Sequence, residues 1–144
     1  MKVSEILSAK GAEVMTVKPT ETVETLAHRL KLARVGALVV SSDGSKPEGI
    51  VSERDIVHAV SEHGRRALER TVEDLMTRRV TTCKPDDHIS AIAKVMTLNR
   101  IRHVPVVEGG RLIGIVSLGD VVKHRLAEFQ LAADVLRDIA IAGA

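Results

Sequence analysis

The chain has 144 residues, 44% of them hydrophobic and 28% charged, with a formal net charge of +2. That balance suits one compact domain or two small fused halves, argues against disorder, and gives no ground for a nucleic-acid partner. A single Phe with no Tyr or Trp removes the platforms on which single-stranded nucleic acids stack, and the lone Cys83 excludes an internal disulfide and fits a reducing compartment.

The start, Met1-Lys2-Val3-Ser4-Glu5, carries an acid and no long apolar core, so no secretory signal is expected. No stretch approaches the roughly 18 apolar residues that would cross a bilayer, so no membrane is expected and a cytoplasmic location is. Val3 to Ser8 predicts a short helical lead-in. Val14 to Val17 is a brief β segment closed by Lys18-Pro19, because proline ends strand pairing. Val23, Leu26, Ala27, Leu30 and Ala33 recur at helical spacing and predict an amphipathic helix. Ala37 to Ser41 predicts a strand, Asp43-Gly44 a turn, and the next strand ends at Ser52 where a helix begins.

The same order then returns. Thr71 to Met76 is a second lead-in, with Thr71-x-x-Asp74 as a capping signal. Val80 to Cys83 is a β segment closed by Lys84-Pro85, and Ile89, Ile92, Ala93, Met96 and Leu98 mark a helix. His103 to Val107 is a strand, Gly109-Gly110 a turn, and a further strand ends at Ser117. The last helix runs on through Phe129, Leu131, Val135, Leu136 and Ile139 toward Gly143.

A shift of 66 residues sets Lys18-Pro19 on Lys84-Pro85, Ala27 on Ala93, Leu32 on Leu98, Arg34 on Arg100 and Val40 on Val106. Near Gly49 the shift drops to 65, a one-residue deletion of the kind a turn tolerates. The simplest reading is two tandem copies of one β-α-β-β-α unit, residues 1–70 and 71–144. Two copies are too few for an open solenoid, so the predicted fold is α/β (α+β), the copies facing each other around a pseudo-two-fold axis, with an extended C-terminal helix.

The sharpest repetition is Gly49-Ile50-Val51-Ser52-Glu53-Arg54-Asp55 against Gly114-Ile115-Val116-Ser117-Leu118-Gly119-Asp120. Ser followed three residues later by an acid is a capping-box pattern. A ligand site that also caps would account as well for Gly, Ile, Val, Ser and Asp coinciding in both copies. A nucleotide suits that second reading. A carboxylate can hold the vicinal ribose hydroxyls with its two oxygens, a helix N-terminus favours phosphate, and a β-branched strand can cover an adenine face.

These residues, with the Lys-Pro after the first strand and the segment Arg102-His103-Val104-Pro105-Val106-Val107, closely resemble the CBS domain, present as a tandem pair over about Val3 to Leu126. The segments Val51 to Val57 and Arg100 to Val107 resemble small stand-alone bacterial CBS-pair proteins. The resemblance implies a Bateman module that binds AMP, ADP, ATP, NAD(H) or S-adenosylmethionine in clefts between the repeats. Carried over by position, it implies one cleft joining Ser52, Arg54 and Asp55 to Thr82, Ile101, Arg102 and His103. The other would join Ser117, Gly119 and Asp120 to Thr16, Gly36 and Ala37. In each, Asp would hold ribose, and strand backbone near Ala37 or His103 would read the adenine edge.

The clefts differ in charge: Arg54 is replaced by Gly119, and Gly36-Ala37 by Arg102-His103. Guanidinium groups pair well with phosphate oxygens, so the Asp55 cleft is expected to be the stronger nucleotide site. The six histidines show no metal-ligand spacing, and neither a Walker loop nor G-x-G-x-x-G occurs, so neither an enzyme nor a catalytic cofactor is expected. The expected function is a regulatory adenosine-nucleotide sensor acting on an unidentified effector protein. A structural dimerisation module with unused clefts is the alternative. Apolar stripes on the duplicated helices predict a homodimer under both readings.

Overall fold

The computed structural model describes residues 1–11 and 14–143. The first repeat contains α1 (Val3–Lys10), β1 (Thr16–Val17), α2 (Val23–Ala33), β2 (Ala37–Val40), β3 (Gly49–Ser52) and α3 (Glu53–His63), followed by a 3-10 turn over Gly64–Glu69. The second contains α4 (Val72–Leu75), α5 (Ile89–Asn99), β4 (His103–Glu108), β5 (Arg111–Ser117) and α6 (Leu118–Ala142). The predicted order of elements is present in the first repeat and, apart from its first strand, in the second, and the last helix extends for 25 residues.

Local chemistry sets these bounds. Thr22 caps α2 by accepting the Thr25 N–H at 3.2 Å, and the helix then buries Val23, Leu26 and Leu30 on one face. Both α2 and α5 end on an arginine in the left-handed region, Arg34 at φ 55° and Arg100 at φ 54°. A side chain there costs about 1 kcal/mol relative to the usual glycine cap.

In the first sheet β2 lies between β1, parallel to it, and β3, antiparallel. The second sheet pairs β4 with β5 antiparallel. Equivalent registers recur, with Ala37 opposite Ser52 and His103 opposite Ser117. The strand expected over Val80 to Cys83 is reduced to one parallel bridge between Cys83 and Val106. Cys83 N–H donates to the Pro105 carbonyl at 2.9 Å and its carbonyl accepts from Val107 at 2.8 Å. Val80 and Thr81 line a cavity instead of joining the ladder.

Two apolar cores result, and each is completed by the other repeat's lead-in helix. Val17, Leu26, Leu38, Val40 and Val51 pack with Val72, at the start of α4. Ile89, Ile92, Val104, Val106 and Val116 pack with Val3 and Ile6 from α1. The backbone seals the exchange: Ser4 N–H donates to the Pro85 carbonyl and Glu73 N–H to the Pro19 carbonyl, both at 2.9 Å. The two copies therefore cannot separate without opening both cores.

This exchange explains why each repeated block opens with glycine. A Cβ on Gly49 would sit 2.7 Å from the Met76 Sδ and 3.0 Å from the Thr77 carbonyl oxygen, and one on Gly114 would run into Leu7. Gly114→Val should lower the unfolding free energy by about 2 kcal/mol through overpacking against α1. Urea denaturation monitored by far-UV circular dichroism measures it, and a loss below about 0.5 kcal/mol would show that α1 moves aside freely.

A candidate nucleotide cleft between the repeats

Each Ser-x-x-Asp block turns a strand directly into a helix, so its polar groups gather at a helix N-terminus. Ser52 N–H and Ser52 Oγ–H both donate to Asp55 Oδ2, at 2.8 and 3.1 Å. Ser117 N–H donates to Asp120 Oδ2 at 2.9 Å, while Ser117 Oγ accepts from the Asp120 N–H at 3.1 Å. Both motifs are thus capping boxes. Both side-chain hydrogen bonds of Asp55 among the described residues fall on Oδ2, and none on Oδ1.

The helix starts are also tied to the strands beside them. Glu53 N–H donates to the Gly36 carbonyl at 3.0 Å and Leu118 N–H to the Arg102 carbonyl at 2.8 Å. These equivalent bonds set Gly36-Ala37 beside Ser52 and Asp55, and Arg102-His103 beside Ser117 and Asp120.

A cavity of about 750 Å³ opens between the repeats at the first of these corners. Ser52, Arg54 and Asp55 form one wall and Ile101, Arg102 and His103 another, the combination expected for the Asp55 cleft. Gly36 and Ala37, expected at the other cleft, face this cavity. Thr82 is not in its lining; Val80 and Thr81 of the same extended segment are. Thr16 lies in β1 opposite Val39, its carbonyl accepting Arg29 Nη1 at 3.0 Å. Ser117, Gly119 and Asp120 stand at the start of α6, outside this lining.

The cavity is rich in positive charge. Four arginines, Arg54, Arg79, Arg100 and Arg102, line it against two carboxylates, Glu53 and Asp55. Two of these arginines escape a sequence reading. Arg78-Arg79 reads as a solvated basic pair, and Arg78 does reach the exposed Glu73 at 3.2 Å, whereas Arg79, itself exposed, borders the cavity. Arg100 looks like an ordinary helix-end residue; the sequence signal was its alignment with Arg34 at an identical left-handed cap. Small residues at Gly36 and Ala37 leave room, and Ile50, Val57 and Ile101 supply an apolar surface.

His103 stands where the two corners meet. A Cβ placed on Gly36 would lie 3.4 Å from both Cε1 and Nε2 of His103 and 3.3 Å from Glu53 Oε1, so the imidazole and that carboxylate share the space above Gly36. Burial pushes the His103 pKa below its ordinary value; Glu53 opposes this, Lys10 and Arg102 reinforce it, and Asp120 opposes it weakly. The folded protein therefore binds its proton less readily than the unfolded chain. The contribution of His103 to stability is present above its unfolded pKa and is lost as pH falls through the folded value. Stability should decline from pH 7 to pH 5, and His103→Gln should flatten that part of the profile in thermal melts across pH.

The Asp120 corner holds a cation of its own. Lys10 Nζ donates to Asp120 Oδ2 at 2.8 Å and to the Ile115 carbonyl at 2.9 Å. Burial raises the Asp120 pKa, but the Lys10 hydrogen bond, the Ser117 contacts and the ammonium charge outweigh it and hold the carboxyl below the usual range. Elsewhere, burial and the Asp87 charge push the Cys83 thiol up to about 12, which leaves it a small unreactive apolar group. Among the described residues there is no His, Cys, Asp and Glu cluster able to hold a metal ion, and no helix is long and apolar enough to cross a membrane.

The profile of the CBS domain matches residues 3–62 and again 72–127. An uncharacterized protein of Methanopyrus kandleri is 33% identical over 112 residues, 77% of this chain, which spans only 57% of that protein's length. The crystal structure of a CBS-domain containing protein from Agrobacterium tumefaciens superposes with a TM-score of 0.83 at 41% identity, over 87% of this chain and 99% of that one. The CBS domain pair of protein MJ0100, solved in complex with 5′-methylthioadenosine and S-adenosyl-L-methionine, superposes with a TM-score of 0.78 at 26% identity, over 89% of this chain and 98% of its own. Two repeats in tandem, crossed lead-ins and a charged cleft at a capped helix start thus coincide with two matches to one domain: the chain belongs to the CBS-domain family, as a tandem pair of its domains.

Proposed function

We propose that this chain is a regulatory module that takes an adenosine nucleotide of the AMP, ATP or NAD(H) type in the cavity between its repeats. Occupancy would act on an effector protein by changing the module's conformation or association, which requires different affinities for two states. The observation that carries the reading is the cavity itself. It gathers an Asp55 oxygen free for ribose hydroxyls, an apolar surface and four arginines within about 750 Å³. The adenosyl ligands held by the MJ0100 pair support the adenosine half of the reading. The arginine excess favours ligands that carry phosphate over the sulfonium of S-adenosylmethionine.

Without Trp or Tyr the chain scarcely absorbs at 280 nm, so a co-purifying nucleotide would dominate the spectrum near 260 nm and can be identified after acid release. Calorimetry with AMP, ATP, NAD and S-adenosylmethionine completes the test. A nucleotide-free preparation that binds none of the four would sink the proposal.

Self-association belongs to the same proposal. Leu32 on α2 and its counterpart Leu98 on α5 are 82% and 81% exposed, as expected of two equivalent faces that pair with a second copy. This exposure also favours the second reading, a homodimerisation module whose clefts stay unused. Light scattering after gel filtration reports the dimer, and cleft occupancy separates the two readings.

A further inference from the structure

The last helix carries an apolar stripe that no other described residue covers. From Phe129 to Ala142 every residue of α6 except Asp134 is exposed, and the second match to the CBS domain has already ended at residue 127. Leu126, Phe129, Leu136 and Ile139 are between 60% and 67% exposed. A helical stretch of this length is marginal in water by itself, because most helical stability in proteins comes from packing an amphipathic face. Val122, Leu126, Phe129, Ala133, Leu136 and Ala140 follow one another at alternating steps of four and three, the pattern of a coiled-coil seam. The face therefore suits another helix.

We propose that the end of α6 is a docking surface for a second copy of this chain, the two helices running antiparallel along this seam. A two-fold axis near Leu131 sets Phe129 against Ala133 of the second copy, Leu126 against Leu136, and Val122 against Ala140. Every layer is then apolar, and the largest side chain meets a small one. A parallel pair would set Phe129 on Phe129 and Ala133 on Ala133, crowding one layer and leaving a void in the next. Charge favours the antiparallel pair as well. The last turn of α6 has no base of its own, and this register brings Arg125 beside Ile139 of the second copy, where a cation meets the free carbonyls of the helix end. The Arg125 guanidinium already lies over the Phe129 ring, 4.9 Å from its centroid, and Arg137 is matched by Asp134 of its own helix at 3.8 Å. Pairing from Val122 to Ala140 buries on the order of 1,000 Å² over two copies, the size that a specific interface must reach. Beyond residue 127 the acids Glu128, Asp134 and Asp138 outnumber the one base, Arg137, so an anionic membrane surface is the poorer occupant. The contact depends neither on the nucleotide cleft nor on the Leu32 and Leu98 faces.

Leu136 belongs to neither core, so Leu136→Glu keeps the fold and should halve the mass measured by light scattering after gel filtration. Orientation is read by cross-linking with a short bismaleimide, in which the buried Cys83 takes no part. Gln130→Cys, on the flank at the axis, should link two copies. Arg137→Cys should not, since its two copies lie about 20 Å apart along antiparallel helices. Linking at Gln130→Cys should persist when Leu32→Glu and Leu98→Glu are both introduced. An unchanged mass in Leu136→Glu, equal linking at the two cysteines, or a monomeric unsubstituted protein overturns the proposal. Failure to bind any nucleotide would overturn only the functional reading above.

Discussion

Asp55→Ala should weaken AMP binding in the main cavity by roughly 100-fold, because it removes a charged acceptor from two ribose hydroxyls at once. Asp120→Ala should leave that affinity within about threefold, since Asp120 stands outside the lining of this cavity. The aspartate also caps α3, so the alanine variant should lose about 1 kcal/mol of stability. Asp55→Asn keeps a cap acceptor and separates the two effects: it should bind nearly as poorly while unfolding close to the parent temperature. Isothermal calorimetry with AMP and adenosine decides the matter. An Asp55→Ala variant with parental affinity would mean that the ribose lies elsewhere, and a larger loss in Asp120→Ala would reverse the order of the clefts.

The second large effect concerns stability and follows from the crossed helices. Ile6 lies in the first repeat's sequence but is fully buried in the second repeat's core. Ile6→Ala should cost about 3 kcal/mol, the transfer of the side chain plus the cavity left behind, and lower the melting temperature by roughly 10 °C for a domain of this size. Hydrogen exchange monitored by NMR locates the damage: protection should fall first in β4 and β5. The reciprocal Val72→Ala should loosen β1, β2 and β3. Loss confined to α1 in the first variant would show that the lead-in helix is an appendage and not part of the core.

These two variants also bear on how the proposed ligand would act. Each lead-in helix joins the core it completes to the motif corner of that same repeat, since Thr77 and Arg79 follow α4 and line the Asp55 cavity, and Lys10 ends α1 and reaches Asp120. A ligand held by Arg79 in the cavity would thereby act on α4 and on the first repeat's core that it completes. His103, between Glu53 on one side and Lys10 and Asp120 on the other, feels the charges of both corners.

Much of this was legible from residues alone. The internal repeat, the helical periodicities and the Ser-x-x-Asp caps are local patterns, and the helices and capping boxes follow them closely because neighbouring residues decide both. The resemblance to the CBS domain implied the grouping of Ser52, Arg54 and Asp55 with Ile101, Arg102 and His103, which share one lining, and with Thr82, which is not in it. The segment Val80 to Cys83 reads as a strand by composition, yet only Cys83 pairs, because ladder formation depends on a neighbour and Val80 and Thr81 face the cavity.

The sequence by itself therefore determined the duplicated unit, its elements and the chemistry of its repeated motif, all of which depend on spacings of a few residues. Only the tertiary structure decided which lead-in helix completes which core, that Arg79 and Arg100 border the cleft, and that Lys10 sits on Asp120, 110 positions away. Such pairings arise from how the two repeats dock face to face, and no short-range pattern along the chain encodes that packing.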